Sequence, residues 1–480
     1  MSASKDSTAS SSKATSRRTN GDDLRRAVDW VLSADILNDV RLHGNVDWTP
    51  IALVRLAIFW VWSAESSLVQ AAKESIGLVR RLYGSVAVDS YQGLTGALKR
   101  YTPQLLPGLW RRLQHLMKEC NEDSWRVGLW VALAVDGSRV QVPRTAKNEQ
   151  RFCKPRTRRK KGKGKKRTRH ANQLRAAKRR QKSHYDPQPV GPQMWLTMIW
   201  HIGLQLPWCW KIGPSYSSER AHVLELLADQ NFPEFTLFCG DAGFVGYDFW
   251  STIAGHGHHF LVRVGSNVRL LKNLGYARER EGLVYCWPDE SMKKRQPPLV
   301  LRLLHFQGSR GDVYLVTNVL EEKQLTMQQA GEIYRRRWGI EVQFRDLKQT
   351  FGRSKLRSRT PECAEVELHW SLLGLWMLRL LAIKEQVAME EPSEKTSLAA
   401  VLRIIRSIMH HVSEIPPRGE SLREQLQTAF VDGYERHSKK KSRNYPRRKE
   451  EPSAGPPKVT AATETHKQKL RQLECLDQAV

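Results

Sequence analysis

The sequence predicts an α/β fold with a helical segment ahead of it. Two observations carry that prediction. Apolar runs of strand length recur at 128–142, 193–202, 235–241, 260–264 and 312–320, and segments of helical period lie among and after them. The run at 128–135 is nearly continuous in apolar residues, which implies cover on both faces and so a sheet layered with helices.

The chain of 480 residues carries 78 Lys+Arg against 49 Asp+Glu, a formal charge of +29. This balance makes an ordinary metabolic enzyme a poor default and favours a polyanionic partner. Two apolar runs, 51–63 and 372–383, contain Arg55 and Arg379 and are too short to cross a bilayer, so both are expected as buried helices and no membrane partner is expected. The seven cysteines form no CxxC pair, which fits a reducing, cytoplasmic setting better than a disulfide framework or a zinc knuckle.

In chain order, residues 1–20 are polar, lack periodicity and are expected to be disordered. Residues 21–121 place apolar residues at i, i+3, i+4 in Asp22–Ser33, Ile51–Gln70 and Tyr91–Lys99, which reads as a helical domain of its own with surface arginines at 55, 80, 81, 111 and 112. The run from Gly128 reads as a strand, a turn at Asp136-Gly137 and a second strand through Val140 and Val142. Residues 151–182 hold 17 Lys/Arg and no Asp or Glu, a block that must be solvated or lie on phosphates. Strand texture returns at 193–202, a helix is expected at Glu219–Gln230, and Phe235–Asp241 is a strand ending in an aspartate. A helix at 247–254 and a strand at 260–264 precede a Gly/Pro/charge-broken stretch, 266–310, that suggests short antiparallel strands. After the strand 312–320, a long helical region runs from Leu325 to about Met389 with a break near Thr360-Pro361. A C-terminal helical region, 390–432, is followed at 433–480 by a basic, low-complexity tail.

Asp136 and Asp241 each close a buried strand, the place where functional groups gather in open α/β sheets, although an aspartate there can simply start a turn. In the helix IYRRRWGIEVQFRDLKQTF, taking Tyr334 as zero at about 100° per residue puts Arg337 near −60°, Glu341 near −20° and Lys348 near −40°. This polar stripe borders the apolar face formed by Ile333, Ile340, Phe344, Leu347 and Phe351. Two aspartates and a glutamate are a ligand set for hard divalent cations, which can activate an attacking oxygen and stabilise a leaving one at a phosphodiester. Arg337 and Lys348 carry the wrong sign for ligands and suit non-reacting phosphates, with Tyr334 as a further donor.

The spacing Tyr334-x(2)-Arg337-x(3)-Glu341-x(6)-Lys348 matches the Tyr-Arg-Glu-Lys signature of bacterial DDE insertion-sequence transposases, and the chain resembles their insertion-sequence-four family. AVDGS around Asp136 and GDAGF around Asp241 look like that family's two aspartate regions. The resemblance implies an RNase H-like catalytic core over 128–389, with Asp136, Asp241 and Glu341 as catalytic metal ligands for Mg²⁺ or Mn²⁺ (two ions) and a β-rich insertion at about 266–320. It also implies double-stranded DNA as partner (the element's terminal inverted repeats and a target), end recognition by the helical domain 21–121, a homodimer in the synaptic complex, and a bacterial, nucleoid-associated location. Its activity would be strand cleavage followed by strand transfer. The basic block 151–182 is a departure from the family pattern. Two other readings stay open, a catalytically silent DNA-binding relative and a nuclease without strand transfer. Trp287, in the insertion, could stack on an unpaired base or pack in a hairpin; the histidines of Gly255–His259 could bind metal or serve as polar turn residues.

Overall fold

A computed structural model describes residues 18–43, 47–155, 191–308, 311–389, 395–431 and 455–477. Most of the basic block, the first seventeen residues and the stretch 432–454 lie outside the described residues, and so do the expectations attached to them.

The strands are β1 (Val131–Gln141), β2 (Gln193–His201), β3 (Leu206–Pro214), β4 (Thr236–Gly240), β5 (His259–Val264), β6 (Arg269–Lys272), β7 (Leu283–Cys286), β8 (Leu299–Phe306), β9 (Val313–Thr317) and β10 (Lys458–Ala461). They form one sheet in the order β10-β6-β7-β8-β9-β5-β4-β1-β2-β3. β1, β2 and β3 are successively antiparallel, while β4 runs parallel to β1 and β5 parallel to β4. The broken stretch after β5 forms the antiparallel strands its texture suggested, and β9 joins them to β5 in a continuous sheet.

The expected turn at Asp136-Gly137 does not occur. β1 runs unbroken through both residues because its antiparallel partner accompanies it, with Asp136 opposite Met198 and Gly137 opposite Thr197. Its parallel partner stops earlier, the last pair being Ala134 with Cys239. Asp136 therefore stands beyond the carboxyl end of β4, and Asp241 is the first residue after that end.

Residues 20–120 form four α-helices, Asn20–Val31, Pro50–Trp62, Leu68–Tyr83 and Tyr91–Cys120, but not a domain of their own. One hydrophobic core runs from Leu24 through the central strands to the helix Leu398–His410. Trp62 Nε1 donates to the Gly374 carbonyl at 2.9 Å, and Trp370 Nε1 to Thr102 Oγ1 at 2.9 Å. Both partners lie on the helix Pro361–Gln386, which starts at the expected break with Thr360 as its N-cap and Pro361 in the first turn. At 26 residues this helix extends well beyond the apolar run 372–383 and, contrary to expectation, is long and apolar enough to span a membrane. Its most apolar window is 94% buried in protein, so it is a buried helix, as expected.

The described part of the expected tail is structured. Residues 458–461 add β10 in parallel to β6, and the helix Glu464–Asp477 lays Leu470 against Tyr285, Trp287 and Met292. The pairing that fixes β10 is main-chain, so its side chains carry little strand signal.

Candidate active site

The third carboxylate sits on the helical region after β9. This region begins with Met327–Arg336, capped by Thr326 and Gln329 in a capping box, and continues in helical geometry through Arg337 and Trp338 into Gly339–Arg345. The turn Asp346–Thr350 is π-helical, where an unbroken α-helix was expected. Gly339 allows the close approach: a Cβ there would lie 2.1 Å from the Trp200 ring and 2.3 Å from Gln205 Oε1. Asp346 pairs with buried Arg379 at 3.8 Å, fixing the π turn to the helix Pro361–Gln386.

Successive residues of a strand face opposite ways, so Asp136 and Ser138 share one face of β1. Lys348 Nζ donates to Ser138 Oγ at 2.6 Å, which seats the Glu341-bearing segment on that face. Asp241 accepts the Gly243 N–H at 2.7 Å and so holds its own turn. Glu341 lies 3.8 Å from Arg337, whose guanidinium stands 5.4 Å from the centre of the Tyr334 ring. Arg337 is 8% exposed and Tyr334 and Lys348 are half-buried, so the stripe is no solvated face.

Mutual repulsion among the carboxylates shows that these groups share one field. Burial, with contributions from Asp241 and Glu219, pushes the Asp136 carboxyl up to about 7 against the pull of the Gly137 N–H and Arg337. Burial also raises Glu341, with Arg337 opposing and Asp241 adding to the shift. Burial lowers Lys348, with Asp136 opposing. The Asp136 shift has a testable consequence. The folded chain holds this proton more tightly than the unfolded chain, so the contribution to stability is full below about 4 and is lost as pH rises through about 7. Chemical denaturation of the wild type without divalent ions should therefore show stability falling across that window relative to Asp136→Asn. Parallel curves for the two proteins would contradict the shift.

The structure thus brings Asp136, Asp241, Glu341, Tyr334, Arg337 and Lys348 together. It does not bring Trp287, which is 5% exposed and donates from Nε1 to the Gln296 carbonyl at 2.8 Å; packing, not an open stacking face, is its state here. Two of the three histidines after Gly255 also pack, His258 against Phe232 and Phe238 and His259 against Trp130, while His256 is exposed with Nδ1 2.9 Å from the Thr252 carbonyl. Two neighbours of these residues, Ser138 beside Lys348 and Glu219 in the field of Asp136 and Asp241, are given no role by the sequence motifs. Ser138 could have been found by its i+2 spacing from Asp136, whereas Glu219 opens an ordinary capped helix and carries no local signal.

The three carboxylates suit a divalent cation in donor type and in their mutual repulsion, which a cation would relieve. Among the described residues, however, no three of His, Cys, Asp and Glu are gathered into a ready-made metal cluster.

Residues 204–377 match the family model of the transposase DDE domain, a span that includes Asp241 and Glu341 and begins after Asp136. Over 143 residues, 28% of this chain, the sequence is 31% identical to "Transposase InsG for insertion sequence element IS4" of Escherichia coli (strain K12). That alignment spans only 31% of the curated relative's length. A solved structure of the piggyBac transposase synaptic complex with hairpin DNA aligns over 87% of each chain at 11% identity, with a TM-score of 0.38. On these matches, residues 204–377 are similar to a transposase DDE domain, and part of the chain is similar to a transposase of the insertion-sequence-four type.

Proposed function

We propose that the protein is a DNA transposase that cuts at the terminal inverted repeats of its element and joins the freed ends to target DNA. What supports this reading is that Asp241 acts electrostatically on both Asp136 and Glu341, three residues from distant parts of the chain, and that Arg337 and Lys348 stand beside them. The order β3-β2-β1-β4-β5, three antiparallel strands followed by two parallel ones, supports an RNase H-like core.

In this reading Asp136, Asp241 and Glu341 hold Mg²⁺ or Mn²⁺, two ions by family resemblance. The chemistry such ions supply is Lewis acidity toward the attacking and the leaving oxygen of a phosphodiester. Arg337 and Lys348 hold non-reacting phosphate oxygens, Arg337 able to do so through two parallel N–H groups and Lys348 as a point charge. Ser138 and Tyr334 keep those two cations in place before DNA arrives. The helices at 20–120 contact the transposon end, and the strong positive charge supplies the salt-dependent part of the affinity. The working form is a dimer in a synaptic complex, acting at the bacterial nucleoid with no membrane involved.

The test is incubation of purified protein with Mg²⁺ and DNA carrying the element's own ends, followed by mapping of products. Transposition predicts a 3′-hydroxyl at the element's end that later appears joined to target DNA. Cleavage with no joined product would instead make the protein a nuclease, and end binding with no cleavage would make it a silent relative.

The phosphate role of the two cations is separable from metal binding. Arg337→Ala and Lys348→Ala should each slow single-turnover cleavage about ten- to a hundred-fold, the worth of one charge-assisted hydrogen bond of about 1.5–3 kcal/mol, while Mn²⁺ binding persists. Arg337→Lys should recover only part of the rate, because an ammonium cannot reproduce the planar fork. Wild-type rates in both alanine variants would return these residues to a purely structural role.

A further inference from the structure

The helix Glu464–Asp477, which lies outside the residues that match the family model, faces the segment between β7 and β8 across a groove of about 640 Å³. Lys469 and Arg471 line the groove from the helix, and Lys293 and Arg295 line it from that segment. Among the described residues no Asp or Glu lines it, and none of these four cations makes an ion pair. One apolar cluster anchors both sides. Leu470, set between Lys469 and Arg471, is buried against Trp287 and Met292, so the helix presents its two cations from a fixed seat. Opposite it, Trp287 Nε1 donates to the Gln296 carbonyl and the Gln296 N–H donates to the Ser291 carbonyl at 2.9 Å, which holds the neighbouring Arg295 in place. Arg295 has a φ of 56°, a left-handed conformation in which glycine would be less strained. Trp287 also lines a second cavity, of about 480 Å³, together with Val245 and Tyr247 just past the turn of Asp241. The groove therefore lies one cavity away from that turn.

We propose that this groove holds the sugar-phosphate backbone of duplex DNA running on from the candidate active site, as a contact separate from that site. The proposal rests on the DNA-binding reading above. Four unpaired cations in one concavity repel one another, and an anion that spans them removes the repulsion. An ordinary surface intersperses both signs of charge; here every charged residue lining the groove is positive. A duplex presents phosphates at regular spacing, and the Lys and Arg that meet them fix its position without reading its sequence. Trp287 is 5% exposed, so the groove offers no open ring for a base to stack on, and the backbone is the part of DNA that it fits. An acidic protein would match the charge as well, but nothing in such a partner calls for a place next to the turn of Asp241.

The test is the salt dependence of duplex binding by the full-length protein, followed by fluorescence anisotropy between roughly 50 and 200 mM salt. Lys469→Gln with Arg471→Gln removes two charges from one side of the groove, and Lys293→Gln with Arg295→Gln removes two from the other. All four side chains are exposed, and circular dichroism follows folding. Arg403→Gln with Arg418→Gln removes two exposed charges elsewhere and serves as control. Each groove pair should make the plot of log affinity against log salt shallower by about 1–2, close to one counterion per lost phosphate contact, while the control pair keeps the wild-type slope. A wild-type slope in both groove pairs, or an equal fall in the control pair, overturns the proposal and leaves the DNA-binding reading standing. Loss of poly-glutamate binding with an unchanged DNA slope gives the groove to an acidic protein and overturns it equally. If the wild type itself does not bind duplex DNA, that reading fails and the proposal with it. Should the Lys469 and Arg471 pair disturb its helix, the Lys293 and Arg295 pair decides in the same terms.

Discussion

Asp136→Ala, Asp241→Ala and Glu341→Ala are each expected to lower metal-dependent strand cleavage by roughly 10²–10³-fold or more, the scale of removing a preorganised electrostatic element from an active site, with binding of DNA ends largely kept. The three residues come from β1, from the turn after β4 and from a helix a hundred positions further on, so a common loss would identify one site and not three local defects. Asp136 and Asp241 are also held by neighbouring N–H groups of Gly137 and Gly243, so Asn at either position would keep the local turn and isolate the charge. Near-normal cleavage by any one alanine variant would remove that residue from the site.

The second large effect falls on stability. Glu367 is fully buried, pairs with buried Arg353 at 3.7 Å and accepts the N–H groups of Arg357 and Ser358, the latter at 2.9 Å. The loop it holds also joins the end of β1, with Gln141 and Ser354 bonded at 3.1 Å and Leu356 and Gln141 at 2.8 Å. Removing one partner of such a pair leaves the other charge buried and unmatched. Glu367→Ala should therefore cost about 3–5 kcal/mol in chemical denaturation. The loop joins the end of the Lys348 turn to the core helix, so the fraction still folded should also cleave more slowly. A loss below about 1 kcal/mol would mean that the pair is replaceable by solvent.

What could be read beforehand divides along the range of the interaction that decides it. Asp241 was legible because the apolar run of β4 stops at it, and Glu341 because period and motif agree over a few turns. Asp136 was legible as a residue but not in its geometry, since the strand β2 that carries β1 past it arrives only after the basic block. The helices of 20–120 were legible one by one, yet an amphipathic face says that something covers it and not what. Their shared core with the helix Pro361–Gln386 depends on contacts such as Trp62 with Gly374, more than three hundred residues apart. Lys348 follows the same rule: the π turn fixed through Asp346 and Arg379 sends it to Ser138, which no helical wheel foretells. Glu219 was invisible because its partner in space is the missing side chain of Gly137.

If Asp136, Asp241 and Glu341 surround a divalent-ion site at the end of the parallel strands, as proposed, an ion bound there can be made to report its own position. Replacing Mg²⁺ by Fe²⁺ and generating hydroxyl radicals at the bound ion, with ascorbate and peroxide, cuts the polypeptide next to wherever the ion sits. Cuts are expected near residues 136, 241 and 341 in the same protein, suppressed together by excess Mg²⁺ and absent in Asp241→Asn. Cuts at one of these segments alone, or at a place remote from all three, would contradict the proposed site.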